Sequence, residues 1–436
     1  MVRRILGITA LGVTVMMAAP APAPAQMSPD SVAAQLSRLR ARIDSLEALV
    51  RRLQEAGREG EAQSALEQLR EAARAAAGGV APDTAQQGEA VFVGRQRSLQ
   101  ALNPEISLNA DLFGHVDVDD ANADNFVARE FELSIQSTLD PYSRAKVFIA
   151  GHSPGAELEP FGSVEEGHEE EGGGVAVESG FVQWVNLPGG LGLTVGKFFQ
   201  RLGTLNRWHG HALPFQSRSL PHLAFIGEEA LIQSGASLYW LVPVHGAGTY
   251  EVSFEVTRSS NEVLFGESTR PSVLGHLNGF WQLNTSTDLD LGFSWLNGTY
   301  EGDAGLLDQD LYSAEMALTW RPPLTARSRE LSLRGGVMVH DREDPDRDRT
   351  ALGVWTMAEL RLSPNWIVGG RYDWVENPDD PEQTAWLASP TLTWWQSEWV
   401  RLRAEYDFIR RTSGEDTGKF VLQITFAMGP HKHESY

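Results

Sequence analysis

The sequence predicts an all-β membrane protein: an antiparallel transmembrane β-barrel of about sixteen strands, with an N-terminal α-helical coiled coil. The first observation is a long alternation. Between 400 and 408 the even positions are apolar and the odd positions are charged. Successive side chains of a strand point to opposite faces, so such a strand has one apolar wall and one wet wall. The pattern recurs from about 104 to 428, which is typical of a barrel with a polar lumen.

Two further observations favour a barrel in a membrane over a soluble sandwich. Tight turns (140–143, 187–190, 284–287, 363–365, 396–398) alternate with long links (152–174, 200–229, 259–272, 298–308, 341–349, 411–417). Short periplasmic turns and long outer loops are the outer-membrane arrangement. Aromatic residues also lie near strand ends, where an interfacial girdle places them: Trp320, Trp366, Trp374 and Trp399.

The individual strands follow from these faces and turns. Sixteen runs are predicted, at 104–118, 126–139, 144–151, 175–187, 191–199, 230–242, 248–258, 273–284, 287–297, 309–321, 329–340, 350–362, 365–375, 383–397, 399–410 and 418–428. The barrel domain is therefore predicted at 104–428, followed by a tail at 429–436.

The N-terminus predicts export. Arg3 and Arg4 precede an uncharged apolar stretch, and Ala23-Pro24-Ala25 provides a small-x-small cleavage site. A signal peptide is therefore predicted at 1–25. The alternative is an uncleaved anchor, but the apolar stretch is short for a membrane span.

A helical segment is predicted at 30–75, followed by a linker at 76–103. Its apolar residues keep an unbroken heptad spacing, with Leu36, Ile43 and Val50 at a and Val32, Leu39, Leu46 and Leu53 at d. This predicts a periplasmic coiled coil, whereas the alternative is a single helix packed on the barrel. The a and d residues lean towards dimers and barrels of this kind are commonly trimers, so both states stay open.

Composition narrows the classes of partner. The formal charge is −22, from 58 acidic and 36 basic residues, which makes nucleic acid a poor partner. Acidic clusters at 165–171 and 341–348 are interpreted as solvated loops, or as collectors of divalent cations at a lipopolysaccharide surface. The chain has no cysteine, no phosphate-binding loop motif and no His-Glu-x-x-His, so neither an enzyme nor a cofactor is predicted.

One long link differs from the acidic background of the chain. The segment 200–229 carries three arginines and three histidines, namely Arg201, Arg207, His209, His211, Arg218 and His222. Folded into the barrel, it is expected to form a constriction and bind solute, because cationic rings favour anions in a pore. The alternative is a surface loop or a latch between subunits.

The strand faces also predict lumen-facing charges, at Asp288, Asp290, Arg334, Arg361, Arg371, Arg401 and Arg403. Acids such as Glu130 and Glu132 concentrate in the first nine runs and arginines in the last six, which predicts a transverse field across the pore. Metal ligation has weak candidates in two i, i+2 histidine pairs, His209 with His211 and His431 with His433, since neither pair has a defined third ligand.

The order of signal peptide, coiled coil, linker and sixteen-strand barrel resembles trimeric porins of the phosphate-selective porin O/P type and their coiled-coil-bearing relatives. The resemblance covers most of the mature chain. It implies passive uptake of small, often anionic, hydrophilic solutes through a homotrimer in outer-membrane lipid and lipopolysaccharide.

Several motifs also resemble a poorly characterised zinc-regulated or receptor-like group of outer-membrane proteins. They are 129–133 with 140–142, the turn 187–190, the stretch 203–215 and the triplet 227–229. The chain departs from receptors, which need a plug domain and about 22 strands. The leading hypothesis is a porin, and the alternative is a surface protein that handles zinc or calcium.

Overall fold

The computed structural model describes residues 104–118, 124–152, 158–161, 174–243, 248–302, 305–344 and 348–429. The predicted signal peptide, coiled coil and linker lie outside these residues, as do the acidic cluster at 165–171 and the pair His431 and His433. They stay predictions.

The described part of the chain contains sixteen strands, as the alternation predicts. They are β1 Glu105–Asp117, β2 Asn125–Thr138, β3 Ser143–His152, β4 Val175–Leu187, β5 Leu191–Phe199, β6 Ile232–Val242, β7 Thr249–Arg258, β8 Pro271–Asn284, β9 Thr287–Gly302, β10 Gly305–Trp320, β11 Glu330–Glu343, β12 Asp348–Arg361, β13 Trp366–Glu376, β14 Thr384–Trp395, β15 Val400–Arg411 and β16 Thr417–Met428.

The strands close into one antiparallel barrel. Each strand pairs with its neighbours in the chain, and β1 pairs with β16 through a register that includes Leu108 with Met428. Closure satisfies the backbone donors and acceptors that an open sheet edge leaves unpaired. The predicted sixteen-stranded antiparallel barrel is confirmed.

The two faces of the wall differ in burial. On β9, Phe293 is 48% exposed on the outside, whereas Leu296 on the inside is fully buried. The same contrast holds on β16, where Leu422 is 54% exposed and Val421 is buried. The outward surface is thus an apolar band, as expected of strands that face lipid.

The prediction of long links at 298–308 and 341–349 was wrong. β9 runs to Gly302 and β10 begins at Gly305, while β11 runs to Glu343 and β12 begins at Asp348. Backbone pairing continues through polar sequence because ladder hydrogen bonds need no apolar side chains. The strands therefore rise beyond the apolar band.

Two short helices lie in links that the sequence reading left without structure. Helix α1 spans Leu220–Phe225 and helix α2 spans Glu262–Phe265, and two 3₁₀ turns occupy Leu205–Arg207 and Gly210–Ala212. None of the helices in the described ranges has the length and apolarity needed to cross a membrane.

Candidate functional site in the barrel lumen

The segment 200–229, which we call the lumen loop, joins β5 to β6 and packs against the inner wall of the barrel. Its apolar side chains Leu202, Leu205, Phe215, Leu220 and Phe225 are each at most 1% exposed. They belong to two buried clusters that also contain inward side chains of the wall, among them Leu296 and Trp355. The loop is therefore packed inside the lumen.

The loop enters the lumen next to β9 and β10. The backbone N–H of Gly203 donates to Ser294 Oγ at 3.1 Å, and that of Thr204 donates to Glu315 Oε2 at 2.6 Å. Gly203 has a φ of 72°, and a Cβ at this position would stand 1.9 Å from Glu315 Oε1. Only glycine combines this backbone conformation with so close an approach.

The next segment of the loop reaches β2 and β4. His209 Nδ1 lies 2.7 Å from Glu132 Oε2 and 3.2 Å from Glu178 Oε2, and His211 Nδ1 lies 3.4 Å from Glu130 Oε1. In the strand order, β2 and β10 are on opposite sides of the barrel. The lumen loop therefore crosses the lumen between two walls.

The last segment returns along β13 and β15. The backbone N–H of Gln216 donates to Glu405 Oε2, and that of Leu220 donates to Asp373 Oδ2, each at 2.9 Å. Carboxylates that accept from backbone donors make stronger hydrogen bonds than neutral acceptors do. The wall thus supplies the acceptors that this irregular backbone needs.

Three of the predicted lumen arginines bind carbonyls of the loop. Arg401 Nη2 donates to His211 O, Arg403 Nη2 donates to Leu213 O, both at 2.6 Å, and Arg371 Nη1 donates to Ser217 O at 2.7 Å. All three side chains are at most 5% exposed. They point inward, and in this structure they position the loop.

Helix α1 packs into an apolar part of the inner wall. Its side chains Leu220, Leu223 and Phe225 share a buried cluster with inward residues of β8 to β15, among them Leu274, Leu296, Leu311, Met338, Val375, Leu387 and Ile409. Gly353 of β12 leaves the space for the helix, because a Cβ there would lie 2.6 Å from Pro221 Cβ. Apolar inward residues therefore mark the footprint of α1.

Two predicted site residues act within the loop itself. Arg218 donates to Leu205 O at 2.8 Å and to Trp208 O at 2.9 Å. His222 Nδ1 lies 2.7 Å from Ser219 Oγ, and burial, with the nearby charge of Arg218, lowers the pKa of His222 to about 3. Both are buried, so the structure brings neither to an open surface.

One recess, with a volume of about 280 Å³, lies on the β3–β7 side of the loop. Its charged lining is Arg144, Lys146, Arg201, Arg207, His209, Glu251 and Glu255. Arg201 forms an ion pair with Glu251 and stacks over Tyr239, 4.9 Å from the ring centre. Burial lowers the pKa of Arg207 to about 10, so Arg207 stays a cation at neutral pH. This β3–β7 recess is basic and partly aromatic.

A second recess, of about 190 Å³, lies on the β11–β15 side of the loop. Its charged lining is Glu330, Arg334, Glu359, Arg361, Arg401 and Arg403. Arg334 pairs with Glu359 at 3.3 Å and stacks over Trp208, 5.0 Å from the ring centre. Asp288 and Asp290, also predicted to face the lumen, line neither recess, and Asp290 instead accepts from Asn278.

The predicted transverse field changes with this placement. Early acids such as Glu130 and Glu132 are buried against histidines of the loop, and the late Arg401 and Arg403 are bound to its backbone. Both recesses carry more basic than acidic lining residues. The two recesses therefore do not form one acidic and one basic side.

His209 is the one loop residue enclosed by several carboxylates, and these could hold a metal together with it. Burial alone would lower the pKa of His209, but the charges of Glu132 and Glu178 outweigh it and raise the pKa to about 10. Sequence reasoning placed Glu132 on the wet face and missed Glu178. A bulge between β3 and β4 shifts the register there, at Phe148 and Ile149, so simple alternation does not locate Glu178.

Comparison with known proteins bears on the fold. No family profile matches the chain. An uncharacterized protein of Aquifex aeolicus (strain VF5) is 28% identical over 178 residues, which are 40% of this chain. The match spans about a third, 33%, of that relative's own length.

Solved structures give the same architecture at low identity. OprB of Pseudomonas putida at high pH matches with a TM-score of 0.54 and 13% identity, over 77% of this chain and 96% of that one. A loop L8 deletion mutant of the outer membrane protein OmpT of Vibrio cholerae matches with a TM-score of 0.51 and 9% identity, over 75% of this chain and 99% of that one. The fold is porin-like. Salmonella typhi OmpF, in complex with daunomycin, matches this porin-like chain with a TM-score of 0.50 and 7% identity, over 74% of this chain and 97% of its own.

Proposed function

We propose that this porin-like chain is an outer-membrane porin that passes small hydrophilic solutes by passive diffusion, with the lumen loop as its constriction. The observation that carries the proposal is the path of the loop. It contacts Glu315 on β10 and Glu132 on β2, opposite each other, and leaves a charged recess on either side. A segment fixed across a lumen narrows the cross-section open to solutes.

The outward surface supports the location. Leu238, Phe254, Phe293 and Leu422, from four different strands, are each at least 46% exposed. Such a surface is unstable in water and suits the hydrocarbon of a bilayer. The fold is one that usually has no catalytic activity, so the function assigned to it is transport.

The β3–β7 recess supports a preference for anions. Arg207 lines it, and no described carboxylate forms an ion pair with this guanidinium, unlike that of Arg201. A cation that no carboxylate contacts directly can attract mobile anions to the site. The aromatic ring of Tyr239 beside Arg201 suits solutes with a flat apolar part.

Planar-bilayer recording of the purified full-length protein tests the proposal. Stepwise conductance increments in potassium chloride are expected, together with a reversal potential of anionic sign under a salt gradient. A folded protein that gives no steps at any salt concentration would contradict the proposed channel.

Arg207→Ala isolates the selectivity. It removes the cation that no carboxylate contacts directly in the β3–β7 recess, so the reversal potential is expected to move towards cations while conductance steps persist. Arg327→Ala is the matched control, because Arg327 is exposed in the turn between β10 and β11. Equal reversal potentials in the two variants would remove the recess from the selectivity argument.

The location of His209 and His211 does not support the alternative of metal capture at the cell surface. His209 and His211 are fully buried in the lumen. An ion bound there would not be collected on an outer surface.

We further propose that the chain assembles as a homotrimer, as the resemblance to trimeric porins implies. Chemical cross-linking in outer membranes, followed by mass measurement, tests this. A ladder that ends at the monomer or the dimer would contradict it.

A further inference from the structure

We propose that Glu130, Glu132, Glu178 and His209 form a binding site for one divalent transition-metal cation, with Zn²⁺ as the representative ion. The site goes beyond solute passage: the cation would tie the lumen loop to β2 and β4. One potential ligand atom from each residue lies within 4.8 Å of every other.

The spacing of the ligand atoms fits a small cation after minor adjustment. His209 Nδ1 is 2.7 Å from Glu132 Oε2 and 3.2 Å from Glu178 Oε2. Zinc–oxygen and zinc–nitrogen bonds of roughly 2.0–2.2 Å place tetrahedral ligands about 3.4 Å apart. To reach this spacing, the two distances to His209 must lengthen slightly and any pair of ligand atoms near the 4.8 Å limit must shorten, and rotations about side-chain bonds can produce such changes.

Charge is the second reason. Glu130, Glu132 and Glu178 converge in the barrel interior, where isolated carboxylates are costly. No arginine or lysine of the described ranges forms an ion pair with Glu130 or Glu178, and their neighbours are the histidines His209 and His211. A dication supplies positive charge at the point where the carboxylates meet.

The surroundings also hold the ligands in place. Asn109 Nδ2 donates to Glu132 Oε1 at 3.0 Å, which orients this carboxylate and leaves Oε2 towards His209. The rings of Phe148 and Phe199 lie 4.8 and 4.7 Å from the imidazole of His209, centre to centre. Such outer contacts are what orient metal ligands and exclude water around a site.

The ligand set indicates the class of ion. Three carboxylates and one imidazole suit Zn²⁺, Mn²⁺ or Fe²⁺. Calcium prefers six to eight oxygen ligands, and magnesium keeps several waters, so neither matches a compact set that includes nitrogen. The same atoms without a metal would form a cluster of imidazolium and carboxylates, which is the competing outcome.

Calorimetry on the full-length protein, stripped with EDTA and folded in detergent, tests the site. The protein carries no histidine tag, and His431→Ala with His433→Ala removes the tail pair as a second source of ligands. With ZnCl₂ as the probe, one ion per chain is expected. Glu132→Gln and His209→Gln are each expected to weaken binding by more than about tenfold, the scale seen even for residues behind the ligands.

Glu315→Gln is the matched control. It makes the same chemical change in a buried carboxylate that holds the same loop, but on the opposite wall. Its zinc affinity is expected to equal that of the parent. Absence of stoichiometric zinc uptake by the folded parent, or equal affinity in all three variants, would overturn the proposal.

Cobalt spectroscopy keeps the test decisive where a variant does not fold. Co²⁺ bound to the parent is expected to show the intense absorption of a low-coordinate nitrogen–oxygen site, whereas the spectrum of aqueous Co²⁺ would overturn the proposal. Conductance in EDTA is recorded separately. Channels without metal binding would refute the metal site alone, and metal binding without channels would refute the porin alone.

Discussion

At the scale of residues, alternation predicts the direction of a side chain but not its partner. Arg371, Arg401 and Arg403 point inward as their parity predicts, yet they donate to carbonyls of the lumen loop. Arg334 and Arg361 also lie on the polar face of their strands, and with Arg401 and Arg403 they line the β11–β15 recess. Which arginine meets solute depends on the path of a segment more than a hundred residues earlier, and strand periodicity carries no information on that path.

Gly203→Ala is expected to loosen the lumen loop without opening the barrel. The left-handed conformation, with a φ of 72°, costs a residue with a Cβ about 1–2 kcal/mol, and the new methyl group also collides with Glu315. The chain has no cysteine, so Ala224→Cys provides a single buried thiol whose maleimide labelling rate reports exposure of α1. Labelling is expected to accelerate in Gly203→Ala.

Gly189→Ala provides the comparison for this change. Gly189 has a similar φ of 81° but nothing within 4 Å of an added Cβ. It carries the same backbone cost in a tight turn away from the loop. Equal labelling rates for Gly203→Ala and Gly189→Ala would show that the contact with Glu315 does not hold the loop.

His222 is expected to make the loop sensitive to acid. Its pKa is about 3 in the folded loop and about 6.5 when exposed, so the detached loop takes up the proton first. The contribution of neutral His222 is complete above pH 6.5 and is lost as the pH falls towards 3, by up to about 1.4 kcal/mol per unit. Hydrogen exchange of peptides from 215–226, corrected for intrinsic rates, measures this loss. The loss should be smaller in His222→Gln, and an unchanged pH dependence would assign the effect to other groups.

At the scale of elements, the lumen loop is the part that sequence reasoning predicts only in outline. Its basic and aromatic composition sets it apart from the other links, but α1 has six residues and α2 has four. Isolated helices of this length are unstable in water, so no local pattern encodes them. Helix α1 forms because Asp373 of the wall accepts from its Leu220 N–H and Gly353 leaves space for its buried side chains.

Gly353→Leu is expected to displace α1. The added side chain would occupy the volume of Pro221 and Phe225, which lie 2.6 and 3.3 Å from a Cβ at this position. The thiol of Ala224→Cys should then label rapidly, while the heat-modifiable mobility of the folded barrel is retained. Gly370→Leu is the control, because Gly370 lies on the next strand with nothing within 4 Å. Slow labelling in both variants would contradict the packing argument.

At the scale of the whole molecule, the strand count and the closed antiparallel order are predictable because each strand must alternate and must pair with its chain neighbours. Loop lengths are less so. The ladder of β9 and β10 continues through Glu301 paired with Leu306, where the sequence has polar and glycine residues typical of a link. Backbone pairing determines where a hairpin ends, and the polarity of the side chains does not predict that end point.

Replacement of 203–226 by a short glycine–serine linker tests how the whole barrel uses the loop. The residues that flank this segment meet beside β5 and β6, since Gln200 N donates to Leu231 O at 3.0 Å, so a short linker is expected to bridge the gap. The wall would lose the loop but keep all sixteen ladders. Single-channel conductance is therefore expected to rise several-fold. Its selectivity should then follow the wall alone, because Arg371, Arg401 and Arg403 would face water in place of loop carbonyls. A folded variant with the conductance of the parent would show that the lumen loop does not form the constriction.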